Sequence, residues 1–532
     1  MSRDSELRKR NDLLAKAKAS NPRQYWSLLK KAAGLSRNTR SIPDEAFVNG
    51  LVVKGDLVLK VWQEAFRKLF AADEQDPAFD KTFMLRIKYE VAQEEIKGTQ
   101  VDNICEELNA PIALQEVISV LHNLRNGKAG GIDSLINEIF KYGGNEITVA
   151  TWRLCEAVFR LEKIPQDWAR GLIFPLFKEG DARVPDNYRG ITLLSVVGKI
   201  YTTVLNARIN RWCEDKNILV EEQAGFRVGR STVDHIFVFN EILRARRKQG
   251  KETYCCFLDI RKAYDTVFRD GLWYRLLEAG LRGKLWRVLR NLYSIVESCV
   301  LVGKDRTEWF SLGDGLRQGC ILSPVLFAIF IDGLARAVKN AKTCEILEKL
   351  KLNILLFADD ALLLASSPQE LQFLLDLVFQ HSEKWRFKFN IQKSKAMVFK
   401  GRKPARKLSF FLGLQELEIV ESLKYLGVDF ASNWSWSVTK KRFAKKARSR
   451  LAFLSKAIFD GIASDAVENL WRTIVRPTLE YGCEVWGGGK WLEQSAYSRK
   501  QEESSVGGKT TGDVSEASSD GGLCEAAGTC AD

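Results

Sequence analysis

The sequence predicts an α+β protein with several lobes. Between about residues 150 and 430, short apolar runs typical of strands alternate with longer segments of helical periodicity. The chain has 532 residues, of which 45% are hydrophobic and 10% aromatic. Such a chain is too long for one ordinary domain and is apolar enough to bury a large core. We therefore expect a folded molecule of more than one lobe.

The N-terminal part, residues 1–110, is predicted to be a helical extension. Residues 1–35 are rich in Lys, Arg, Ala and Leu, and residues 56–96 repeat apolar side chains at helical spacing. A glycine-rich basic loop follows at 126–131. It fits a phosphate contact or, slightly better, a plain turn between helices.

The central part, residues 111–430, carries strand and helix signals in alternation. Strands are predicted from short apolar runs bounded by turn residues, at 173–177, 254–259, 299–302, 354–365, 396–399 and 425–430. Helices are predicted from apolar positions three and four residues apart, near 198–213, 231–249, 270–293, 324–339 and 369–388.

The C-terminal part changes composition along its length. Residues 438–480 are predicted to form basic amphipathic helices. In residues 491–532 acidic side chains outnumber basic ones, and from residue 504 onwards large apolar side chains are almost absent. Such a composition cannot bury enough apolar surface to offset the entropy of folding. We therefore expect a disordered tail over residues 491–532.

Charge and cysteine usage narrow the classes of partner. Lysine and arginine number 81 against 67 acidic residues, and the net charge of +14 favours a polyanionic partner. The eleven cysteines never form a C-x-x-C pair and the chain has three histidines, which argues against a zinc module or a disulfide framework. No signal region or run of membrane-span length is present. We expect an intracellular protein, nuclear or cytoplasmic, without a membrane partner.

Two adjacent acids, Asp359 and Asp360, interrupt the apolar run at 354–365. The run is too short to span a membrane and has the pattern of a buried β-hairpin. Aspartates are common in hairpin turns, and for an isolated pair that structural role is the more frequent one. The alternative is that the carboxylates bind a hard divalent cation such as Mg²⁺.

A third acid favours metal binding. Asp259 ends the strongly apolar strand predicted at 254–259. If that strand lies beside the hairpin of Asp359 and Asp360, three carboxylates converge and repel one another unless cations neutralise them. Two metal ions held in this way can activate an attacking hydroxyl and stabilise a departing pyrophosphate.

Eight short motifs occur in a fixed order along the chain. They occupy residues 173–181, 187–194, 222–227, 257–265, 315–324, 357–360, 390–395 and 425–427. In this order they resemble the motifs of the reverse transcriptases of non-long-terminal-repeat (LINE-type) retrotransposons. The resemblance covers about residues 110–490.

The resemblance implies a fold and an activity. The fold is the right-hand polymerase fold, with fingers and palm at 111–430 (core about 157–428) and a thumb at 431–490. The activity is that of an RNA-directed DNA polymerase, which copies retrotransposon RNA into DNA by two-metal nucleotidyl transfer. The implied partners are an RNA template, a DNA primer and deoxynucleoside triphosphates.

Carried over position by position, the resemblance implies a catalytic centre. Asp259 and Asp359 would ligate both metal ions, two Mg²⁺ with Mn²⁺ as an alternative, and Asp360 would support them. Lys395 matches the lysine that donates a proton to pyrophosphate. Lys393 lies two residues away on the same face and is the alternative.

The resemblance also implies the residues that hold the nucleotide. Lys178 and Arg189 would grip the triphosphate, because a basic pair suits a tetra-anion. Gln318 and Gly319 would line the nucleotide and template site, where a glycine lets the backbone approach a base pair closely. Tyr264 would be the sugar gate, because its flat ring leaves no room for a 2′-hydroxyl.

A run of cations at residues 438–450 is the remaining candidate site. Such a run is usually a solvated helix face. Behind a palm, the resemblance implies a thumb that follows the phosphates of an RNA–DNA duplex without reading its sequence. The residues concerned are Lys440, Lys441, Arg442, Lys445 and Lys446.

Two alternative functions are weaker. A decayed, non-catalytic fragment that binds nucleic acid conflicts with the intact carboxylates and motif order. An RNA-templated RNA polymerase is disfavoured because those enzymes usually have glycine at the position of Ala358.

LINE-type proteins normally carry an endonuclease before the polymerase, and the 110 or so preceding residues are too few for one, so we expect none here. The sequence leaves the oligomeric state open.

Overall fold

The computed structural model describes most of the chain and confirms the α+β class. The described residues are 3–20, 22–32, 42–48, 50–71, 76–347, 350–399, 408–459 and 461–487. The tail predicted to be disordered, residues 491–532, lies outside them.

Helices and strands alternate irregularly along the described chain. The helices are α1 (Arg3–Ser20), α2 (Pro22–Ala32), α3 (Leu57–Leu69), α4 (Lys81–Lys97), α5 (Glu106–Asn109), α6 (Leu114–His122), α7 (Asn137–Tyr142), α8 (Gly144–Leu161), α9 (Gln166–Ala169), α10 (Val196–Asp215), α11 (Thr232–Lys248), α12 (Arg269–Glu278), α13 (Lys284–Ser294), α14 (Ser323–Asn340), α15 (Pro368–Trp385), α16 (Ser437–Phe459), α17 (Ser464–Leu470), α18 (Arg476–Glu480) and α19 (Cys483–Trp486). The strands are β1 (Glu45–Val48), β2 (Leu51–Lys54), β3 (Arg170–Phe177), β4 (Tyr188–Leu194), β5 (Thr253–Asp259), β6 (Glu297–Val302), β7 (Asp305–Arg306), β8 (Phe310–Ser311), β9 (Ile354–Phe357), β10 (Asp360–Ala365), β11 (Lys395–Phe399), β12 (Phe410–Leu412), β13 (Gln415–Ile419), β14 (Ser422–Tyr425) and β15 (Val428–Ala431). Two 3₁₀-helices, Gly98–Cys105 and Pro185–Asn187, and a π-helix, Trp471–Val475, are also present.

A six-stranded sheet forms the centre of the molecule, in the strand order β12-β13-β11-β5-β10-β9. β5 is antiparallel to β10 on one side and to β11 on the other. Successive side chains of a strand point to opposite faces, and both faces of β5 are covered. Cys256 and Leu258 belong to the main core with α14 and α15, whereas Cys255 and Phe257 belong to a second core with α11 and the β14–β15 hairpin. Burial on both faces explains why the strand is apolar over most of its length.

A five-stranded sheet is formed by β4-β3-β6-β7, with β8 paired to β6. β4 is absent from the strands predicted from the sequence, because Gly190 and polar side chains interrupt its apolar pattern. Helix α3 covers this sheet, and the ring of Trp62 lies 4.8 Å from that of Tyr188. A Cβ on Gly190 would stand 2.6 Å from the Phe66 ring. The glycine therefore allows the helix to approach the strand closely.

The N-terminal helices divide between two places in the fold. α1 and α2 pack on α16 and α17 in a small core that includes Leu14, Leu454 and Leu470. The side-chain amide of Asn11 donates to the Gly461 carbonyl at 2.9 Å. α3 and α4 belong instead to the main core. The first two helices are therefore part of the lobe formed by the C-terminal helices.

Three further segments differ from the predicted elements. The single strand predicted at 425–430 is instead the end of β14 and the start of β15, an antiparallel pair whose turn contains Leu426 (φ +42°) and Gly427 (φ +93°). Residues 45–54 lie in the region predicted to be helical, but β1 and β2 form an antiparallel hairpin there, with its turn at Gly50 (φ +84°). The single helix predicted at 270–293 is two helices, α12 and α13. Gly280 (φ +94°) and Gly283 (φ +80°) separate them, because a positive φ ends a right-handed helix. None of the described helices is both long and apolar enough to cross a membrane.

Candidate active site

Asp259 and Asp360 face each other at one end of the six-stranded sheet. β5 ends at Asp259, β10 begins at Asp360, and the two residues are directly paired in the antiparallel register. Directly paired residues project from the same face of a sheet. Asp359 lies in the turn between β9 and β10, next to Ala358, whose φ is +59°. The structure thus brings together the three carboxylates singled out from the sequence.

The negative charge of each carboxylate makes ionisation of its neighbours less favourable. Burial raises the pKa of Asp259 above its ordinary value; Asp359 adds to this rise, whereas Lys393 opposes it. Burial of its carboxyl group, together with the charges of Asp359 and Asp259, raises the pKa of Asp360 to about 6. A cation between the carboxylates would relieve this repulsion.

A cavity of about 190 Å³ opens against Asp259 and Asp360. Lys393 and Tyr425 also line it. Within the described part of the chain, the buried hydroxyl of Tyr425 has no hydrogen-bond partner. Buried polar groups are normally paired, so this hydroxyl and the two carboxylates suit a polar or ionic occupant.

Hydrogen bonds from the segment 390–395 hold the end of β5 in place. The backbone N–H of Asn390 donates to the carbonyl of Asp259 at 2.7 Å. The backbone N–H of Asp259 donates to the hydroxyl of the fully buried Ser394 at 3.2 Å. The side chain of Asn390 also hydrogen-bonds the Asp259 carboxylate and opposes part of the rise in its pKa. The position of Asp259 is therefore set by this segment as well as by the sheet.

The two lysines of this segment lie in different surroundings. Lys395 begins β11, and its Nζ lies 2.7 Å from the Oε2 of Glu418. Lys393 is exposed and lines the cavity with Asp259 and Asp360. The structure therefore favours Lys393 over Lys395 as the lysine next to the carboxylates.

Three cations lie close enough to Lys178 to act on its charge, and Lys178 and Lys393 also act on the charge of Asp259. Partial burial and the positive charges of Arg189, Lys393 and Lys262 lower the pKa of Lys178. Lys178 and Arg189 were predicted from the sequence as site residues, whereas Lys262 was not. Membership of the motif at 257–265 was the signal that could have identified it.

Tyr264 packs between two aromatic rings. Its ring centroid lies 5.1 Å from that of Phe327, nearly parallel at 23°, and 6.3 Å from that of Phe226, nearly perpendicular at 79°. Burial and the charge of Asp359 raise the pKa of the Tyr264 hydroxyl. The predicted gate residue therefore lies within electrostatic reach of the turn between β9 and β10.

Gln318 and Gly319 are held between β4 and the turn that follows β5. The Thr192 N–H donates to the Gln318 carbonyl at 2.6 Å. Gly319 has a φ of +116°, and a Cβ there would stand 2.5 Å from the Thr192 oxygen, so only glycine fits. The side-chain amide of Gln318 donates to both carboxylate oxygens of Asp265, at 3.0 and 3.1 Å. Burial raises the pKa of Asp265 to about 7. Asp265 was not among the site residues predicted from the sequence.

Helix α16 carries the predicted nucleic-acid-binding cations. Arg442 is engaged within the protein, because its guanidinium pairs with Asp429 and donates to the Gly427 carbonyl. It is therefore less available to a partner than the prediction requires. The other predicted cations are at least partly exposed: Lys440, Lys441, Lys445 and Lys446.

Comparison with known proteins identifies the central part of the chain. Residues 177–430 match the family described as reverse transcriptase (RNA-dependent DNA polymerase). The chain is 25% identical over 413 residues to the probable RNA-directed DNA polymerase from transposon X-element of Drosophila melanogaster, covering 73% of this chain and 44% of that protein. It is 27% identical over 409 residues to the probable RNA-directed DNA polymerase from transposon BS of the same organism, with coverages of 71% and 42%. The chain thus spans less than half the length of these curated relatives.

A solved structure is also similar at a lower level. It is that of apo telomerase from Candida tropicalis, truncated from the C-terminal domain, with a TM-score of 0.36 and 13% sequence identity. The similarity covers 56% of this chain and 64% of that one.

The matched family region contains the strands β4 to β14 and most of β15. It includes Asp259, Asp359 and Asp360, the cations Lys178 and Arg189, and the loop of Gln318. Residues 177–430 therefore match the reverse transcriptase family, and the chain as a whole is similar to the RNA-directed DNA polymerases of non-LTR retrotransposons.

Proposed function

We propose that this chain is an RNA-directed DNA polymerase that copies retrotransposon RNA into DNA. The observation that carries the proposal is the convergence of Asp259, Asp359 and Asp360 at one end of the central sheet, beside Lys178 and Arg189. Carboxylates there suit metal ions, and cations beside them suit a triphosphate. Similarity to proteins named RNA-directed DNA polymerases supports RNA as the template and DNA as the product.

The proposed cofactor is a pair of Mg²⁺ ions, with Mn²⁺ as an alternative, held by Asp259, Asp359 and Asp360. The raised pKa values of Asp259 and Asp360 support this, because their charged forms need a cation. Among the described residues, no three acidic, histidine or cysteine side chains already form a metal cage. Mg²⁺ in such sites commonly takes one or two carboxylates and completes its shell with substrate phosphates and water. When bound, such ions activate a primer 3′-hydroxyl and stabilise the leaving pyrophosphate.

The side chains around the carboxylates would bind and orient the nucleotide. Lys178, Arg189 and Lys262 would neutralise the triphosphate, because charge-assisted hydrogen bonds to phosphate are the strong ones. Tyr264 would lie against the deoxyribose and exclude a 2′-hydroxyl by steric contact. Gln318 would line the nucleotide and template, on a loop that its neighbour Gly319 allows to pack closely.

The Nζ of Lys393 would donate a proton to the departing pyrophosphate. The cavity that it shares with Asp259 and Asp360 supports this role. Lys395, the residue that the motif resemblance indicates, is the alternative, and its ion pair with Glu418 would have to break first.

The RNA template and DNA primer would extend from the carboxylates towards α16. The exposed side chains of Lys441, Lys445 and Lys446, with Lys440, would follow the phosphates without reading bases. In this proposal, residues 111–430 form the fingers and palm, and residues 431–490 form the thumb. The packing of α1 and α2 on α16 and α17 adds the first two helices to that thumb.

Primer extension by the purified chain tests this proposal against both alternatives. The reaction contains an RNA template, an annealed DNA primer, Mg²⁺, and either deoxynucleotides or ribonucleotides. We expect extension with deoxynucleotides. Extension with ribonucleotides alone would instead support an RNA polymerase, and binding of the duplex without extension would support a non-catalytic fragment. An Asp359→Asn preparation controls for contaminating polymerases.

A further inference from the structure

The segment 222–227 lies along the outer edge of the six-stranded sheet, beside β9. The N–H of Leu356 donates to the Glu222 carbonyl at 2.8 Å, and the N–H of Ala224 donates to the Leu356 carbonyl at 3.0 Å. Gly225 then packs against the turn between β9 and β10, where an added Cβ would lie 2.1 Å from the nearest backbone nitrogen. Hydrogen bonds and close backbone packing therefore hold the segment against the turn that contains Asp359.

Phe226 follows in a backbone conformation that bulky residues rarely adopt, with a φ of +65°. Its neighbours on both sides hold it there. The Oε1 of the buried Gln223 accepts a hydrogen bond from the Gly225 N–H at 2.8 Å, and the guanidinium of the buried Arg227 donates to Glu214 at 2.8 Å. Strain of this kind persists where the surrounding structure imposes it, and it clusters at functional sites.

Packing alone does not explain why an aromatic side chain occupies this position. Phe226 is 44% exposed, so its ring buries only part of its apolar surface. The ring meets that of Tyr264 edge-on, with centroids 6.3 Å apart. Tyr264 in turn interacts electrostatically with Asp359. If Tyr264 lies against the deoxyribose as proposed, the exposed ring of Phe226 would border the same sugar.

We propose that Phe226 is a second specificity-determining residue, which forms with Tyr264 an aromatic wall of the nucleotide pocket. The inference rests on the proposed function. Contact with the Phe226 ring would limit how far the Tyr264 ring can turn away from C2′. Its exposed face offers apolar surface to the sugar of the incoming deoxynucleotide. Removing the ring should therefore weaken deoxynucleotide binding and admit a ribonucleotide.

Steady-state kinetics on one RNA template with one DNA primer tests the inference. The readout is the ratio of kcat/KM for a deoxynucleotide and for the matching ribonucleotide. Phe226→Asn removes the ring, and asparagine tolerates the left-handed region, so the fold should be kept. We expect this ratio to fall by about 10-fold, mainly through the KM values, as is typical of small pocket changes.

Two variants serve as matched controls. Phe226→Tyr keeps the ring and should keep the ratio close to that of the parent chain. Val228→Ala removes apolar surface from the same loop, at a side chain that is 82% exposed, and should leave the ratio unchanged.

The outcomes separate this inference from the proposed function. If Tyr264→Val alters the ratio in the same assay and Phe226→Asn does not, the inference is overturned and the polymerase function stands. If Phe226→Asn lowers both efficiencies equally and also lowers the melting temperature, Phe226 has a structural role, and the inference is again overturned. If the parent chain extends no primer, the proposed function is refuted and this inference falls with it.

Discussion

The backbone of Gly225 lies directly against the backbone of Ala358: a Cβ built on Gly225 would stand 2.1 Å from the Ala358 nitrogen. Neither side of this contact can yield by changing a rotamer, because both sides are main chain. The contact joins the segment 222–227 to the turn that carries Asp359. Glycine is therefore required at position 225 by close approach.

Gly225→Ala should lower both the stability of the fold and the rate of primer extension, because the added methyl group displaces the turn of Asp359. Gly229→Ala is the matched control. It has a φ of +74° and open space around it, so it carries only the backbone strain, about 1 kcal/mol. We expect a larger loss of unfolding free energy for Gly225→Ala in urea denaturation, and loss of activity in that variant alone. Equal effects of the two variants would contradict the argument.

Asp259→Asn, Asp359→Asn and Asp360→Asn should each lower primer extension by about 10²-fold or more while leaving the fold intact. Each removes a ligand charge but keeps the shape of the side chain. Mg²⁺ should raise the melting temperature of the parent chain and raise that of the variants less, because a ligand stabilises the state that binds it. Asp376→Asn, on the exposed face of α15, is the control. Unchanged circular dichroism with unchanged activity would rule out the metal-site assignment.

Tyr264→Val should reduce discrimination against ribonucleotides by roughly 10 to 200-fold, the range typical of a small change in an apolar pocket. The smaller side chain opens space where the aromatic ring would meet a 2′-hydroxyl. The measurement is the ratio of incorporation efficiencies for a deoxynucleotide and its ribonucleotide on one template. A purely structural role, through the stacking of Tyr264 on Phe327, predicts that both efficiencies and the melting temperature fall together while the ratio stays the same.

Asp265 should make the stability of the protein depend on pH. Burial raises its pKa from an ordinary value of 3.8 to about 7 in the folded state. Because the folded-state pKa is the higher one, the stabilising contribution is complete below about pH 4 and is lost as the pH rises through 7. Asp265→Asn removes this titration and keeps an oxygen that accepts from Gln318.

Relative to the parent chain, the unfolding free energy of Asp265→Asn should therefore increase between pH 4 and pH 7 and level off above about pH 8. The total change should be on the order of a few kcal/mol. Urea unfolding of both proteins across this range measures the difference, in which the titration of other groups cancels. A difference that is constant with pH would show that Asp265 does not titrate in this way.

Lys393→Ala should slow the chemical step more than Lys395→Ala does. Loss of a proton donor typically costs about 10²-fold or more. Loss of the ion pair between Lys395 and Glu418, where Glu418 is largely exposed, should change stability by less than about 1 kcal/mol. Single-turnover rates measured across a pH series distinguish the two lysines. Only loss of the proton donor should change how the rate falls at alkaline pH. A greater loss of rate in Lys395→Ala than in Lys393→Ala would support Lys395 as the proton donor, as the motif resemblance implies.

The sequence predicted the strands that carry the carboxylates because their signal is local. The runs at 254–259 and 354–365 are apolar and end at or contain an acid, and they occur as β5 and as the β9–β10 hairpin. β4 and the β1–β2 hairpin were not predicted. Their residues are mixed in polarity, and their pairing, rather than their composition, makes them strands.

The amino-acid sequence by itself determined which residues are candidates for the chemistry. Carboxylates inside apolar runs and the order of the motifs are properties of the sequence, and they were sufficient to indicate a metal-dependent polymerase. Tertiary structure decided which of these residues meet, such as Asp360 with Asp259 and Asp265 with Gln318. It also decided that Lys393 lines the cavity. Along a strand, successive side chains point to opposite faces of the sheet. The sequence of one strand does not say which residues of another strand lie opposite it, because pairing between distant segments sets the register.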